Sequence, residues 1–134
     1  MLLVVDANVL FSALIKDSGT AELITSDKFE LITPEFVLAE FEEHEREILK
    51  KTHRSESDFQ KFMFILRSKI EIIPLPELRK FVKEAEKISP DSDDIHYFAA
   101  ALKFNCPIWT QDKKLKNQSK IKIYNTLELI RKLS

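Results

Sequence analysis

The chain has 134 residues, 44% of them hydrophobic and 32% charged, with a formal net charge of −1. This composition points to one soluble globular domain over residues 1–134, and excludes a disordered chain or a basic nucleic-acid coat. One glycine, Gly19, and one cysteine, Cys106, leave no room for a glycine-rich phosphate loop, an intramolecular disulfide or a cysteine zinc site.

In chain order, the apolar runs Leu2–Val5, Phe29–Ile32, Ile70–Ile73, Pro107–Trp109 and Ile121–Tyr124 predict strands. Most are continuously apolar, as parallel strands covered on both faces are. Ile121–Tyr124 is interrupted by Lys122 and suits a sheet edge. Between the strands, Asn8–Ile15 has helical spacing, and a short turn with Ala21, Leu23 and Ile24 follows Gly19. Thr33 and Pro34 predict an N-cap and first residue of a longer helix. The segment 34–69 is long for one crossover and predicts two helices, with the polar tip Lys51-Thr52-His53-Arg54. Ser55-Glu56-Ser57-Asp58 resembles a capping box. Glu77–Ile88 is amphipathic, Ser89-Pro90-Asp91-Ser92 breaks the chain before another helix, and Thr126 is expected to cap a last one ending at Leu133. Alternating strands and helices imply a three-layer α/β/α sandwich with right-handed crossovers. No run reaches the roughly 20 apolar residues of a membrane span, and no signal-peptide pattern opens the chain, so a cytoplasmic protein without membrane contact is expected.

Four acids fall where such a fold gathers side chains. Asp6 ends the first strand and Asp112 follows the fourth. Glu40 shares an inward helical stripe with Phe36, Val37, Phe41 and His44, and Asp94 opens a helix. Each has a plain structural explanation: a helix cap for Asp6, a buried ion pair for Glu40, capping for Asp94, a polar turn for Asp112. Taken together they suggest one crevice, where mutual repulsion would raise their pKa values unless a hard divalent cation such as Mg²⁺ or Mn²⁺ is held. Glu43 and Asp91 are auxiliary candidates. His44, His53 and His96 lack metal-ligand spacing, and no serine or cysteine sits in a nucleophile context. Lysines crowd the segment after Asp112, either as a solvated face or as a rim that attracts phosphates.

In order, these blocks resemble the PIN domain, including the toxin ribonucleases of prokaryotic toxin–antitoxin pairs. Val4-Val5-Asp6-Ala7-Asn8 is similar to the family's opening strand, and Thr33-Pro34 through Glu40 to its second block. Asp94-Ile95-His96-Tyr97-Phe98-Ala99-Ala100-Ala101 is similar to its third, and Pro107-Ile108-Trp109-Thr110-Gln111-Asp112 to its fourth. Asn105 stands where family members often have glycine. The resemblance implies a parallel five-stranded sheet ordered 3-2-1-4-5. It also implies Mg²⁺- or Mn²⁺-dependent endonucleolytic cleavage of single-stranded RNA. In that reading Asp6, Glu40, Asp94 and Asp112 are the catalytic, metal-holding set, and Asn8 and Thr110 orient ligands or water behind it. Lys113, Lys114 and Lys116 are placed by charge and proximity to draw in the RNA backbone. A cognate antitoxin and a homodimer are the partners expected. An RNA-processing nuclease, or a catalytically silent PIN-like protein-binding module, is the alternative. A receiver domain would need an aspartate after the third strand, where Ile73-Pro74-Leu75 stands. A haloacid-dehalogenase-like phosphatase would need Asp-x-Asp, where Asp6-Ala7-Asn8 stands.

Overall fold

The computed structural model describes residues 1–15 and 18–133. Its chain runs β1 (Leu2–Val5), α1 (Ala7–Ile15), α2 (Ser18–Thr25), β2 (Glu30–Pro34), α3 (Phe36–Glu43), α4 (Glu45–Thr52), α5 (Glu56–Lys69) and β3 (Ile70–Ile73). It continues through α6 (Leu75–Leu78), α7 (Val82–Ile88), α8 (Ile95–Phe104), β4 (Ile108–Trp109), β5 (Ile123–Tyr124) and α9 (Thr126–Leu133). Among the described residues the sheet has five strands in the order β3-β2-β1-β4-β5, and every pair is parallel. Helices cover both faces, giving the three-layer sandwich that the sequence predicts.

The registers Leu3↔Leu31 and Val5↔Trp109 place β1 at the centre of the sheet. Leu3, Val4, Val5, Ile108 and Trp109 are fully buried, which explains why these strands are apolar at every position rather than at alternate ones. The chain leaves β1 toward β2 on one side, and β4 returns on the other. This reversal is the place where an open α/β sheet forms a crevice at the carboxyl ends of its strands. Asp6 and the segment 110–112 lie there.

Several local expectations are corrected. Thr33 and Pro34 do not start a helix: they end β2, paired with Ile72 and Ile73. A residue before proline favours extended backbone, and the Thr33 hydroxyl donates to the Val5 carbonyl at 2.8 Å instead of capping. The strand expected over Phe29–Ile32 is therefore shifted toward its carboxyl end. The segment after Gly19 is helix α2 rather than a turn, with Thr20, Leu23 and Ile24 buried at helical spacing. The 34–69 insertion holds three helices, because His44 (φ −102°, ψ 14°) interrupts the first. His44 is itself exposed and paired with Glu47 at 3.6 Å, not turned inward. Glu77–Ile88 is broken by a 3₁₀ turn at Arg79–Phe81, although Leu78 and Ala85 are both fully buried as their spacing requires.

The cap of α5 follows the sequence closely. The Ser55 hydroxyl accepts the Asp58 N–H at 3.1 Å and starts α5. Asn105 closes α8 in the left-handed region (φ 50°, ψ 56°), a conformation that glycine favours and asparagine tolerates. Cys106 is buried beside it, and burial pushes its thiol up to about 11, so it is an inert core residue. Among the described residues no helix is long and apolar enough to cross a membrane.

Candidate active site

Asp6 is the buried anchor of the crevice, 7% exposed. Its Oδ2 accepts the Thr110 hydroxyl at 2.6 Å and its Oδ1 accepts the Asn8 N–H at 3.3 Å. Tyr97, reaching in from α8, also donates to this carboxylate, and its oxygen accepts the Ala7 N–H at 3.0 Å. Burial raises the Asp6 pKa, the hydrogen bonds from Thr110, Asn8 and Tyr97 oppose the rise, and the charge of Asp112 adds to it. Burial and the Asp6 charge drive the Tyr97 hydroxyl in the same direction, so it remains a proton donor.

Thr110 joins two acids. Besides donating to Asp6, its hydroxyl oxygen accepts the Asp112 N–H at 3.0 Å. Asp112 in turn accepts the Lys114 N–H at 3.0 Å and caps the 3₁₀ turn Lys113–Lys116. Asn8 holds the same loop from the other side, accepting the Gln111 N–H at 3.4 Å. The Gln111 side chain accepts the Thr126 N–H at 2.9 Å, tying the loop to α9.

Asp94 ends a 3₁₀ turn and directly precedes α8. Burial, then the charges of Asp6, Asp91, Asp112 and Asp93, push its carboxyl up to about 6 from an ordinary 3.8. Asp91 is occupied as the cap of that turn, accepting the Asp93 N–H at 2.9 Å. Glu40 is half-buried on α3. That helix is set by Phe36 packing edge-on against Tyr97 at 5.3 Å and by Phe41 stacking on Phe11 at 4.3 Å. Burial, then the Asp6 charge, raises the Glu40 pKa, His44 lowers it, and Glu43 and Asp93 raise it further. Glu43 is exposed, and Glu42 points away to pair with Arg67 at 3.4 Å.

Asp6, Glu40, Asp94 and Asp112 are coupled through their charges, Asp6 to each of the other three. Among the described residues none of the four is ion-paired with a lysine or arginine. Nor do any three carboxylate or imidazole groups already close on a single point. The donor chemistry is all hard oxygen, and uncompensated repulsion is what a divalent cation relieves. An ion such as Mg²⁺, which keeps much of its water and takes one or two carboxylates directly, suits an open arrangement better than a closed cage. Beside Asp112 lies a cleft of about 200 Å³, lined by Thr110, Gln111, Lys113, Lys116 and Asn125 among others. Lys114 contributes its backbone rather than its ammonium to this corner.

Tyr97 and Gln111 are site residues that the sequence reading passed over. Tyr97 was legible only as one of many aromatics at core spacing. Its separation of one helical turn from Asp94 is the signal that places its hydroxyl on the crevice side.

No curated protein matches the sequence at a significant level. Among solved structures, VapBC2 from Rickettsia felis bound to a DNA fragment from their promoter contains a similar chain. The TM-score is 0.63 at 18% identity, covering 93% of this chain and 98% of that one. The likeness is one of fold. A family model described as PIN domain matches residues 4–130, nearly the whole chain and all four acids, and the chain belongs to the PIN domain family.

Proposed function

We propose that the protein is a divalent-metal-dependent endoribonuclease acting on single-stranded RNA. The observation that carries this is the acid cluster at the β1/β4 reversal, without a lysine or arginine partner among the described residues, where burial and mutual repulsion raise Asp6, Glu40 and Asp94 together. Such an arrangement costs stability unless a cation enters it. Asp6, Glu40, Asp94 and Asp112 are the residues that would hold Mg²⁺ or Mn²⁺, directly or through water, with Glu43 and Asp91 as auxiliary acids. When bound, the ion supplies Lewis acidity toward a phosphodiester and a water of lowered pKa.

The chain's own residues do the rest. Thr110, the Asn8 N–H and Tyr97 each occupy one lone pair of Asp6 and fix its plane, leaving the fourth for a ligand. Asn8 and Thr110 also hold the 110–112 loop, so Asp6 and Asp112 share one hydrogen-bonded frame. Lys113 and Lys116 border the cleft beside Asp112 and offer positive charge to a phosphate backbone, with Lys114 next to them.

The Rickettsia felis neighbour occurs as VapBC2 with promoter DNA, which favours the toxin of a toxin–antitoxin pair, bound by a cognate antitoxin, over an RNA-processing nuclease. In the same reading the chain pairs with a second copy, and the exposed row Leu127, Ile130 and Leu133 on α9 offers apolar surface for it. Calorimetric titration with Mn²⁺ at neutral pH tests the metal site. Uptake that Asp6→Asn and Asp112→Asn abolish supports the proposal, and absence of uptake by the native chain removes it.

A further inference from the structure

Charge on this molecule is strongly one-sided. Residues 112–133 hold seven Lys and Arg against two acids, in a chain whose net charge is −1. The α3–α4 segment instead mixes Glu43, Glu45 and Glu47 with Arg46, Lys50 and Lys51, and holds no comparable excess of positive charge. A polyanion leaving the acid crevice is attracted toward the C-terminal segment.

The attractive side has a shaped surface. The cleft beside Asp112 and a second one of about 430 Å³ share Lys116 as a common wall. Lys120, Lys122 and Glu128 line the second, which follows the free edge of β5. Its floor is pinned: the Gln118 side chain donates to the Leu115 and Ile121 carbonyls at 3.0 and 2.8 Å and accepts the Ile121 N–H at 2.9 Å. Beyond it, the Lys122 and Lys132 ammoniums lie 5.4 and 5.6 Å from the centre of the Tyr124 ring. Positive groups thus continue from Asp112 along the sheet edge on a surface that needs little ordering to receive a ligand.

We propose that single-stranded RNA held at the crevice runs out along the β5 edge, its backbone phosphates carried by Lys116, Lys120 and Lys122. This rests on the nuclease reading and adds a direction to it. Lys116 is partly neutralised by its 2.6 Å pair with Glu128, so Glu128 sets the strength of the track where the two clefts meet. Glu128 also serves the cap of α9, accepting the Asn125 N–H at 3.0 Å, and glutamine can keep that bond while losing the charge. Lysines on an edge strand also discourage edge-to-edge sheet pairing, a role that predicts association of the variants and no change in RNA binding.

The test is fluorescence anisotropy of a labelled single-stranded oligoribonucleotide with the full chain in EDTA, titrated against salt. Lys120→Ala/Lys122→Ala should weaken binding roughly tenfold at low salt and flatten the log–log salt slope by about 1.4, the value for two single-strand phosphate contacts. Lys61→Ala/Lys69→Ala removes the same charge from exposed positions on α5, which leads into the opposite edge of the sheet, and should change neither quantity. Glu128→Gln should tighten binding. Equal loss in both double variants, or none in either, overturns the track, and so does unchanged or weaker binding by Glu128→Gln. Cleavage of the same oligonucleotide, assayed separately with Mn²⁺, reports on the nuclease reading alone: binding that behaves as described without cleavage rejects that reading and leaves the track standing.

Discussion

Asp94 carries the clearest electrostatic signature among the individual residues. Its carboxyl is pushed up to about 6 from 3.8 by burial and by four neighbouring aspartates. A carboxyl whose native pKa exceeds its unfolded one binds its proton more tightly in the folded chain. Its contribution is thus most favourable at low pH and is lost as pH rises from about 4 through about 6. In metal-free buffer, Asp94→Asn should raise the melting temperature at pH 7.5 and leave it nearly unchanged at pH 4. The gain is on the order of 1 kcal/mol, since solvent screens a partly exposed group. Thermal melts in EDTA at the two pH values check this; a variant less stable than the native chain at pH 7.5 contradicts it. Tyr97 makes a different kind of prediction. Tyr97→Phe strips the buried Ala7 N–H of its acceptor and Asp6 of a donor, so urea unfolding should show a loss of about 1–3 kcal/mol. Asp6 and Asp112 stand out in the sequence because one directly follows an apolar strand and the other lies three residues past one. The hydroxyl of Tyr97 does not, because an aromatic at core spacing looks the same whether or not its polar tip has work.

At the scale of elements, the sequence reads well where a local signal and the tertiary packing agree. Ser55 caps α5 as its pattern foretells. At Thr33-Pro34 the local signal for a helix start loses to strand pairing with β3 and to the extended bias before proline. Thr126 looked like the cap of the last helix, yet Asn125 performs it, its Oδ1 accepting the Glu128 N–H at 2.8 Å. The Thr126 hydroxyl is instead spent on the buried Trp109 indole at 3.1 Å. Such choices depend on partners distant in sequence, which no window of residues contains. Asn105 is the case where the departure from glycine explains itself: its φ of 50° is one that asparagine adopts at little cost. Asn105→Gly should be neutral or slightly stabilising, whereas Asn105→Val should cost about 1–2 kcal/mol, both measurable by chemical denaturation.

For the whole molecule, the order β3-β2-β1-β4-β5 is what brings Asp6 beside the 110–112 loop from opposite ends of the chain, where Thr110 bonds both Asp6 and Asp112. Parallel pairing could be inferred from the unbroken apolar strands. The order itself came from resemblance to the family, because strand composition does not encode which strands are neighbours. Sedimentation at tens of micromolar should find the proposed dimer, and a monomer there would reject it. The central claim is tested most directly by incubating the purified protein with single-stranded RNA and Mg²⁺ or Mn²⁺. Endonucleolytic cleavage is expected, halted by EDTA, with duplex DNA left intact. Asp6→Ala, Glu40→Ala, Asp94→Ala and Asp112→Ala should each lower the rate by about a hundredfold or more. Glu42→Ala, which loses only a surface pair with Arg67, should retain the native rate. Cleavage that continues undiminished in EDTA, or that survives loss of Asp6 and Asp112, would contradict the account.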